Sequence, residues 1–323
     1  SNIPSALTRY VAPPKRHCMH VLQRALARVV PAASWSSASS HRPSLRPPPR
    51  TSTALRRAST VHDTQAMPEM EVYQFPALQD NYCFLLHDPR TGATAAIDTP
   101  EVEPIERALA LKGWRLTHIL NTHHHWDHTG GNVELKRRNP GCIVIGPKME
   151  RDRIPGIDVA VGENDEVAVG GFIARVYDTP GHTAGHVVYH FESERKVFVG
   201  DTLFAMGCGR LFEGDAPTMW NSVQKIMAMP SDTAVYCGHE YTQSNARFAL
   251  SVEPDNKVLA ARVVEVDAAC AAGVPTVPTT VAIELATNPF CRPHSSDLRR
   301  TLGLSGAEDV AVFAETRRRK DTF

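Results

Sequence analysis

The sequence predicts an α/β fold that ends in a mostly helical part, and three observations carry that reading. Short apolar runs of strand type recur up to about residue 240, with helical periodicities between them. Several of these runs end on Gly, Asp or His, residues that suit a site at the edge of a sheet. From about residue 243 the pattern turns helical, at 243–252, 256–272 and 308–318. Strands interleaved with helices point to a layered α/β core.

The elements follow in chain order. Residues 70–75 and 81–87 alternate or run apolar and predict two strands, with Asp88-Pro89-Arg90-Thr91-Gly92 as a turn before a strand at 93–97. Helical spacing covers 102–114, with Pro104 tolerated in its first turn. The run 116–120 predicts a buried strand, 132–138 a short helix and 142–145 another strand. Strand-rich pieces at 159–161, 166–169 and 172–177 are separated by Gly and Asn-Asp turns. Further strands are predicted at 187–191, from Lys196, and at 234–237, with a helix at 218–229. No repeat of fixed period occurs.

The chain has 323 residues and a formal net charge of zero, but the charge is unevenly placed. No Asp or Glu precedes Asp63, while ten Lys and Arg do, so the rest of the chain carries about −10. An acidic body excludes nucleic acid as a general partner, because phosphate neutralisation needs a basic face. The first 62 residues, rich in Arg, Ser, Ala and Pro, have the composition of an organelle transit peptide. Within them, 20–30 forms a short amphipathic pattern that Pro31 stops. The expectation is a leader at 1–66 and a mitochondrial-matrix location, with a plastid or a Met67-initiated cytosolic form as variants. Met19 is a candidate initiator within it. No apolar run approaches the roughly 20 residues that span a membrane. Seven cysteines, an odd number with no CxxC pair, fit reduced thiols better than a disulfide framework or a Cys-type zinc site.

The most informative stretch is Thr122-His-His-His-Trp-Asp-His-Thr-Gly-Gly-Asn132. Side chains at i and i+2 of an extended segment share a face, so His123 and His125 can address one spot. Asp127 and His128 are neighbours that suit a second spot nearby. A single histidine here would be a polar loop residue; four imidazole or carboxylate donors within six residues read as metal ligands. Three more candidates, His182, Asp201 and His239, each follow an apolar strand. Each alone would read as a loop histidine, a capping Asp and a core histidine, respectively. Their shared placement at strand ends allows them to converge on one sheet edge. His118, His124, His186 and His190 are left to packing or to support of the ligands.

Thr-His-x-His-x-Asp-His, with the later Pro180-Gly-His182, Gly200-Asp201 and Gly238-His239, resembles the metallo-β-lactamase superfamily. Within it, residues 69–323 resemble glyoxalase II, the hydroxyacylglutathione hydrolases. The narrower likeness rests on Gly207-Cys-Gly-Arg-Leu-Phe-Glu-Gly214, Cys237-Gly-His-Glu-Tyr241, Asn288-Pro-Phe290 and Arg317-Arg-Arg-Lys320-Asp. The resemblance implies an αββα sandwich at 67–240 and a smaller helical substrate-binding domain at 241–323. It implies two divalent metal ions, zinc first, with iron or manganese compatible with the same donors. His123, His125 and His182 would hold one ion, Asp127, His128 and His239 the other, and Asp201 would bridge them together with a water or hydroxide. Asp127 and Asp201 would be the catalytic carboxylates. A water so held has its pKa lowered towards about 7, which suits attack on a thioester. No Gly-x-Ser-x-Gly elbow is present to supply an alternative nucleophile.

The implied substrate is S-(2-hydroxyacyl)glutathione, foremost S-lactoylglutathione, cleaved to glutathione and a 2-hydroxy acid in methylglyoxal detoxification. Glutathione carboxylates call for cations and donors; the resemblance places Arg210, Leu211, Phe212, Tyr241, Arg317, Arg318 and Lys320 at the substrate, with the Arg and Lys charges and the Tyr241 hydroxyl meeting that need. Arg210 stands where some members have Lys, and Phe212 where some have Tyr. Without the resemblance, Arg317 to Lys320 read as a solvated basic helix end favoured by the helix dipole. The expected protein is a monomer with no membrane or nucleic-acid partner. The alternatives are a mononuclear iron dioxygenase acting on glutathione persulfide, and a metal-stabilised binding protein without catalysis.

Overall fold

The computed structural model describes residues 69–323, which belong to one unit of tertiary contacts. The expected leader at 1–66, with its short helix and candidate starts, lies outside the described residues. Two six-stranded sheets carry the fold. The first contains β1 (Glu71–Ala77), β2 (Asn81–His87), β3 (Thr94–Ile97), β4 (His118–Leu120), β5 (Ile143–Pro147) and β6 (Val159–Val161), in that spatial order. β1 to β3 pair antiparallel, and β3 to β6 are parallel. Parallel neighbours need crossovers, and α1 (Val102–Lys112) supplies one. The next crossover holds the one-turn helix α2 (Trp126–Thr129) and α3 (Asn132–Arg138).

The second sheet contains β7 (Glu166–Val169), β8 (Phe172–Asp178), β9 (Val187–Phe191) and β10 (Lys196–Gly200). A two-stranded ribbon, β11 (Leu203–Phe204) with β12 (Gly207–Cys208), then leads to α4 (Ala216–Met227) and β13 (Ala234–Cys237). After α5 (Thr242–Val252) and α6 (Lys257–Ala271), β14 (Thr279–Thr280) closes the sheet in the order β14-β13-β10-β9-β8-β7. α7 (Val281–Thr287), α8 (Ser296–Leu302) and α9 (Asp309–Asp321) complete the chain. Asp215 caps α4 by accepting from the Thr218 amide at 2.9 Å, so that helix starts two residues before the periodicity suggested.

The alternation of β2 explains the layering. Tyr82, Phe84 and Leu86 enter the core shared with the second sheet, while Cys83 and Leu85 face the layer of α1 and α3. β3, β4 and β5 divide in the same way: Ile97, Leu120 and Ile145 go inward, and Ala96, Ile119 and Val144 go outward. Between the sheets, Phe84 meets Phe198 and Tyr236 edge-on, with centroids 5.5 and 5.4 Å apart. Such contacts add about 0.5–1.5 kcal/mol per pair beyond area burial. On the far side of the second sheet, Met219, Val223 and Ile226 of α4 pack into this core together with Phe290 and Phe313. The result is the layered αββα arrangement with C-terminal helices. Among the described residues no helix is long and apolar enough to cross a membrane.

The strand directions decide where the site lies. β3, β4 and β5 run parallel, so the chain leaves all three at one rim of the first sheet. β8, β10 and β13 share a direction, with β9 opposed between the first two, so their C-terminal ends share one rim of the second. Backbone bonds stitch the rims together: Tyr82 N–H to the Gly238 carbonyl at 2.8 Å, Val187 N–H to Thr122 at 2.9 Å, and Glu240 N–H to Asp80 at 2.8 Å.

Candidate metal centre

Every predicted ligand leaves one of these strand ends. His123, His125, Asp127 and His128 follow β4, His182 follows β8, Asp201 follows β10, and His239 follows β13. His125 is the N-cap of α2, so Asp127 and His128 sit on a helical turn rather than on the loop expected from sequence. That turn brings the His128 ring to 4.1 Å from His123, centroid to centroid, and Asp127 to the side of His239.

Three overlapping donor groups result: His123, His125 and His182; His123, His128 and Asp201; and Asp127, His128 and His239. In the first, His125 Nδ1 lies 3.0 Å from His123 Nε2 and 3.1 Å from His182 Nε2. In the third, Nε2 of His128 and of His239 are 3.3 Å apart, and Asp127 Oδ2 is 3.7 and 3.5 Å from them. Asp201 lies between the groups. Its Oδ1 is 3.5 Å from His128 Nε2, and its Oδ2 is 3.5 Å from His182 and 3.4 Å from His239. Asp201 Oδ1 is buried without a hydrogen-bond partner. Ring nitrogens facing one another at 3.0–3.3 Å, around an orphaned carboxylate oxygen, form a cage whose donors fit cations.

The remote ring nitrogens are held. Nδ1–H of His128 donates to Asp98 at 2.8 Å and that of His239 to Asp80 at 2.9 Å. His182 Nδ1–H donates to the Arg210 carbonyl at 2.9 Å, and His123 Nδ1–H to the Thr122 hydroxyl at 3.0 Å. Each bond holds a proton on Nδ1 and leaves Nε2 facing the cage as the atom available for ligation. His186, fully buried, accepts the Asp201 backbone N–H on Nε2 at 3.1 Å and so supports the bridging carboxylate from behind.

The electrostatics separate the two sides. Burial, reinforced by the surrounding imidazoles, holds His123 well below its usual value and brings His125 to about 4. Burial also lowers His182. These rings are neutral, as ligands must be. At His239 burial is outweighed by Asp201 and Asp80, which raise it to about 10, and at His128 by Asp201 and Asp98. Asp201, despite its burial, is held far below the carboxylate range by His239 and His128.

Two glycines are dictated by this packing. A Cβ on Gly238 would stand 2.6 Å from Asp201 Oδ1 and 2.9 Å from His128 Cε1. One on Gly209 would stand 2.0 Å from the Asp201 carbonyl oxygen and 3.1 Å from His182 Nδ1.

The residues expected to meet substrate divide. Phe212 is 62% exposed, and its ring stands edge-on to His125 and His182, centroids 5.8 and 5.2 Å away. Tyr241 stacks flat on His239 at 4.8 Å, and burial followed by Asp80 raises its phenol. Arg210 is exposed, with Nε 4.0 Å from Asp321, and Leu211 packs against the core. Arg317 is buried: it donates to the Cys208 carbonyl at 2.7 Å, pairs with Asp321 at 3.0 Å, and lies over Phe290 at 5.1 Å. Lys320 reaches Ser244 and the rings of Phe248 and Phe323. Arg318 turns to Glu315 at 2.7 Å and is not brought to the same place. The sequence reading missed Asp80, Asp98, Glu150 and Glu213, and gave His186 no definite task. For Asp98 a signal existed, since it ends an apolar strand as Asp201 does.

Comparison with known proteins agrees with this geometry. The family model for the metallo-beta-lactamase superfamily matches residues 85–239, and that for the hydroxyacylglutathione hydrolase C-terminus matches 240–323. The chain is 54% identical over 254 residues to a hydroxyacylglutathione hydrolase of Methylococcus capsulatus, covering 79% of this chain and 99% of that one. A hydroxyacylglutathione hydrolase of Maricaulis maris is 51% identical, with 80% and 100% covered. Among solved structures, ETHE1 from Myxococcus xanthus superposes with a TM-score of 0.56 at 26% identity, over 77% of this chain and 90% of that one. The curated relatives are bacterial, which overturns the expected mitochondrial-matrix location and its plastid variant.

Proposed function

The chain belongs to the hydroxyacylglutathione hydrolase family of the metallo-β-lactamase superfamily, and from that premise we propose that it hydrolyses S-(2-hydroxyacyl)glutathione thioesters, S-lactoylglutathione foremost. One observation carries the reading. His182 of the cage donates its outer hydrogen bond to the Arg210 carbonyl, and the same short segment is gripped by α9 through Arg317 on the Cys208 carbonyl. Metal donors and anion-binding residues are thus one hydrogen bond apart.

The cage suits two divalent cations, with His123, His125 and His182 for one, Asp127, His128 and His239 for the other, and Asp201 between them. Nitrogen and oxygen donors favour zinc and accommodate iron or manganese. When bound, such ions supply Lewis acidity, lowering the pKa of water and polarising a thioester carbonyl. The chain's own groups do the rest. Asp201, buried, holds its charge at the centre. Asp127, whose side chain is 23% exposed, takes the proton released as water adds to the carbonyl carbon. The C–S bond then breaks, and the proton passes to the glutathione sulfur. Arg210 and Tyr241 face the glutathione part, with Leu211 and Phe212 beside the acyl end. Lys320 contributes a cation from α9, Arg317 acts by holding Cys208 and Asp321, and Arg318, turned to Glu315, stays outside the group. In this reading 67–240 is the catalytic domain and 241–323 the substrate-binding domain of a monomer.

The paired donor sets and the 240–323 match weigh against a mononuclear iron dioxygenase. The test is metal content per chain alongside loss of thioester absorbance with S-lactoylglutathione, for wild type and Asp201→Ala. Two ions with hydrolysis, both diminished in the variant, support the proposal. One iron with oxygen uptake on glutathione persulfide, and little thioester cleavage, would overturn it.

A further inference from the structure

Glu150 is a buried carboxylate, 2% exposed, to which the reaction assigns nothing. It lies in the 3-10 turn Lys148–Arg153 that follows β5. Its Oε2 accepts the His124 backbone N–H at 2.7 Å and the His124 Nδ1–H at 2.8 Å. Its Oε1 accepts the Gly185 N–H at 2.9 Å. The two oxygens therefore tie together two loops that have no sequence connection near the site. One carries His123 and His125 on either side of His124. The other carries His182, three residues before Gly185.

Glu213 adds a second tether. Its Oε2 accepts the Ala184 N–H at 2.9 Å, next to the Gly185 bond. Its Oε1 lies 3.8 Å from His124 Nε2 and accepts from Arg153 at 2.7 Å. His124 thus stands between two carboxylates, both also bonded to the His182 loop. His124, Glu150 and Glu213 together have the composition of a metal site. Their oxygens, however, are already occupied by N–H groups, three of them backbone, and by Arg153. That is the pattern of a fastener rather than of a ligand set.

We propose that Glu150 is a positioning residue for the first cation: it fixes the distance between the His123–His125 pair and His182, leaving the Asp127, His128 and His239 side to other supports. The proposal rests on the assignment of those donors made above. Outer residues that orient metal ligands typically alter affinity by about 10–100-fold when removed. Here the change should fall on one of two equivalents. Glu150→Gln is the informative variant. The His124 and Gly185 amides point at different oxygens, so either orientation of the new amide turns its NH2 group against one backbone N–H.

The experiment is chelator competition on the metal-loaded full chain for wild type, Glu150→Gln and Glu150→Ala, with far-UV circular dichroism of each. His125→Ala and His239→Ala identify which release step belongs to which side. The expected result is two equivalents in wild type, with a roughly 10–100-fold weakening in the Glu150 variants confined to the step that His125→Ala also weakens. Folded variants with both steps unchanged, or with both weakened equally, would overturn the role. So would loss of folded structure in both variants, which would make Glu150 a general strut. A third equivalent lost on substitution would make it a ligand instead. If wild type itself fails to bind two ions, the donor assignment fails, and that outcome is separate from failure of the Glu150 role.

Discussion

Replacing Asp98 by Asn isolates what an outer hydrogen bond does for a ligand. Asp98 closes β3, is 4% exposed and has a φ of 54°, a left-handed conformation that Asn also tolerates. Its Oδ1 accepts the Thr122 N–H at 2.9 Å, and its Oδ2 accepts the Thr122 hydroxyl at 2.9 Å and His128 Nδ1–H at 2.8 Å. If the Asn oxygen keeps the Thr122 amide, its NH2 donates to His128 Nδ1. The ring must then carry its proton on Nε2, the atom 3.3 Å from His239 Nε2 and 3.5 Å from Asp201 Oδ1. That lone pair is lost to a cation. If the amide flips, His128 keeps its tautomer but the buried Thr122 N–H faces a donor, at about 1–3 kcal/mol. Either route should weaken one metal equivalent by about 10–100-fold, or about 1.4–2.8 kcal/mol. Chelator competition reads the affinity, and kcat should fall with KM little changed, because the bond does not reach substrate. The reasoning is refuted if Asp98→Asn keeps both equivalents at wild-type affinity.

Gly209→Ala should cut kcat at least about tenfold, because its Cβ falls 2.0 Å from the Asp201 carbonyl oxygen beside His182, with KM and kcat measured on the folded variant as the check. Glu284→Ala should destabilise by about 3–5 kcal/mol in urea titration, since it strands the largely buried Arg262 guanidinium now held at 2.6 Å and frees the Met206 N–H bonded at 2.9 Å. A loss below about 1 kcal/mol would mean that water or Thr279 replaces the carboxylate. Asp88→Asn tests an acid window. Burial raises that carboxyl, but the amides of Gly171 and Arg90, the Thr91 hydroxyl and the Arg90 charge together lower it from 3.8 to about 2. The charged form therefore stabilises the fold above the ordinary value, and that stabilisation disappears as pH falls from 3.8 towards about 2. The variant should be less stable than wild type at neutral pH, with the gap closing across that window in unfolding curves; a gap independent of pH would show that the loss is steric.

The parts legible in the sequence were those whose signal is local. β8 reads Phe172-Ile-Ala-Arg-Val-Tyr-Asp178 and buries alternate residues, so its pattern reveals a strand with one covered face. The convergence of the candidate donors was legible because they follow apolar strands whose ends share one rim. α7 and α8, seven residues each, were missed although Thr280 and Ser295 cap them: two turns carry little periodicity, and α3, equally short, was legible because Gly130 and Gly131 mark its start. The outer partners were not legible for a different reason. Asp80 reaches His239 across 159 residues, and Glu150 reaches His124 across 26, so their roles exist only once the two rims close. Arg317 shows the same limit. A basic run at a helix end predicts solvated charge, yet here Phe290 and the Cys208 carbonyl draw one guanidinium inside.

The outer partners also make the two sides of the cage unequal. Behind His128 and His239 stand carboxylates, Asp98 and Asp80. Behind His123 and His182 stand neutral acceptors, the Thr122 hydroxyl and the Arg210 carbonyl. A carboxylate partner raises the basicity of the ring it holds, and a neutral one does so less. Asp127 adds negative charge on the same side as Asp98 and Asp80, while the His123, His125 and His182 side shares only Asp201. On the proposed assignment, a cation on the latter side would be less compensated, more weakly held and the stronger Lewis acid. Phe212 and the Arg210 segment border that same side, next to His125 and His182. The loop proposed to face substrate would thus meet the more electrophilic position, and the tethers through Glu150 and Glu213 fall on the side with fewer carboxylates.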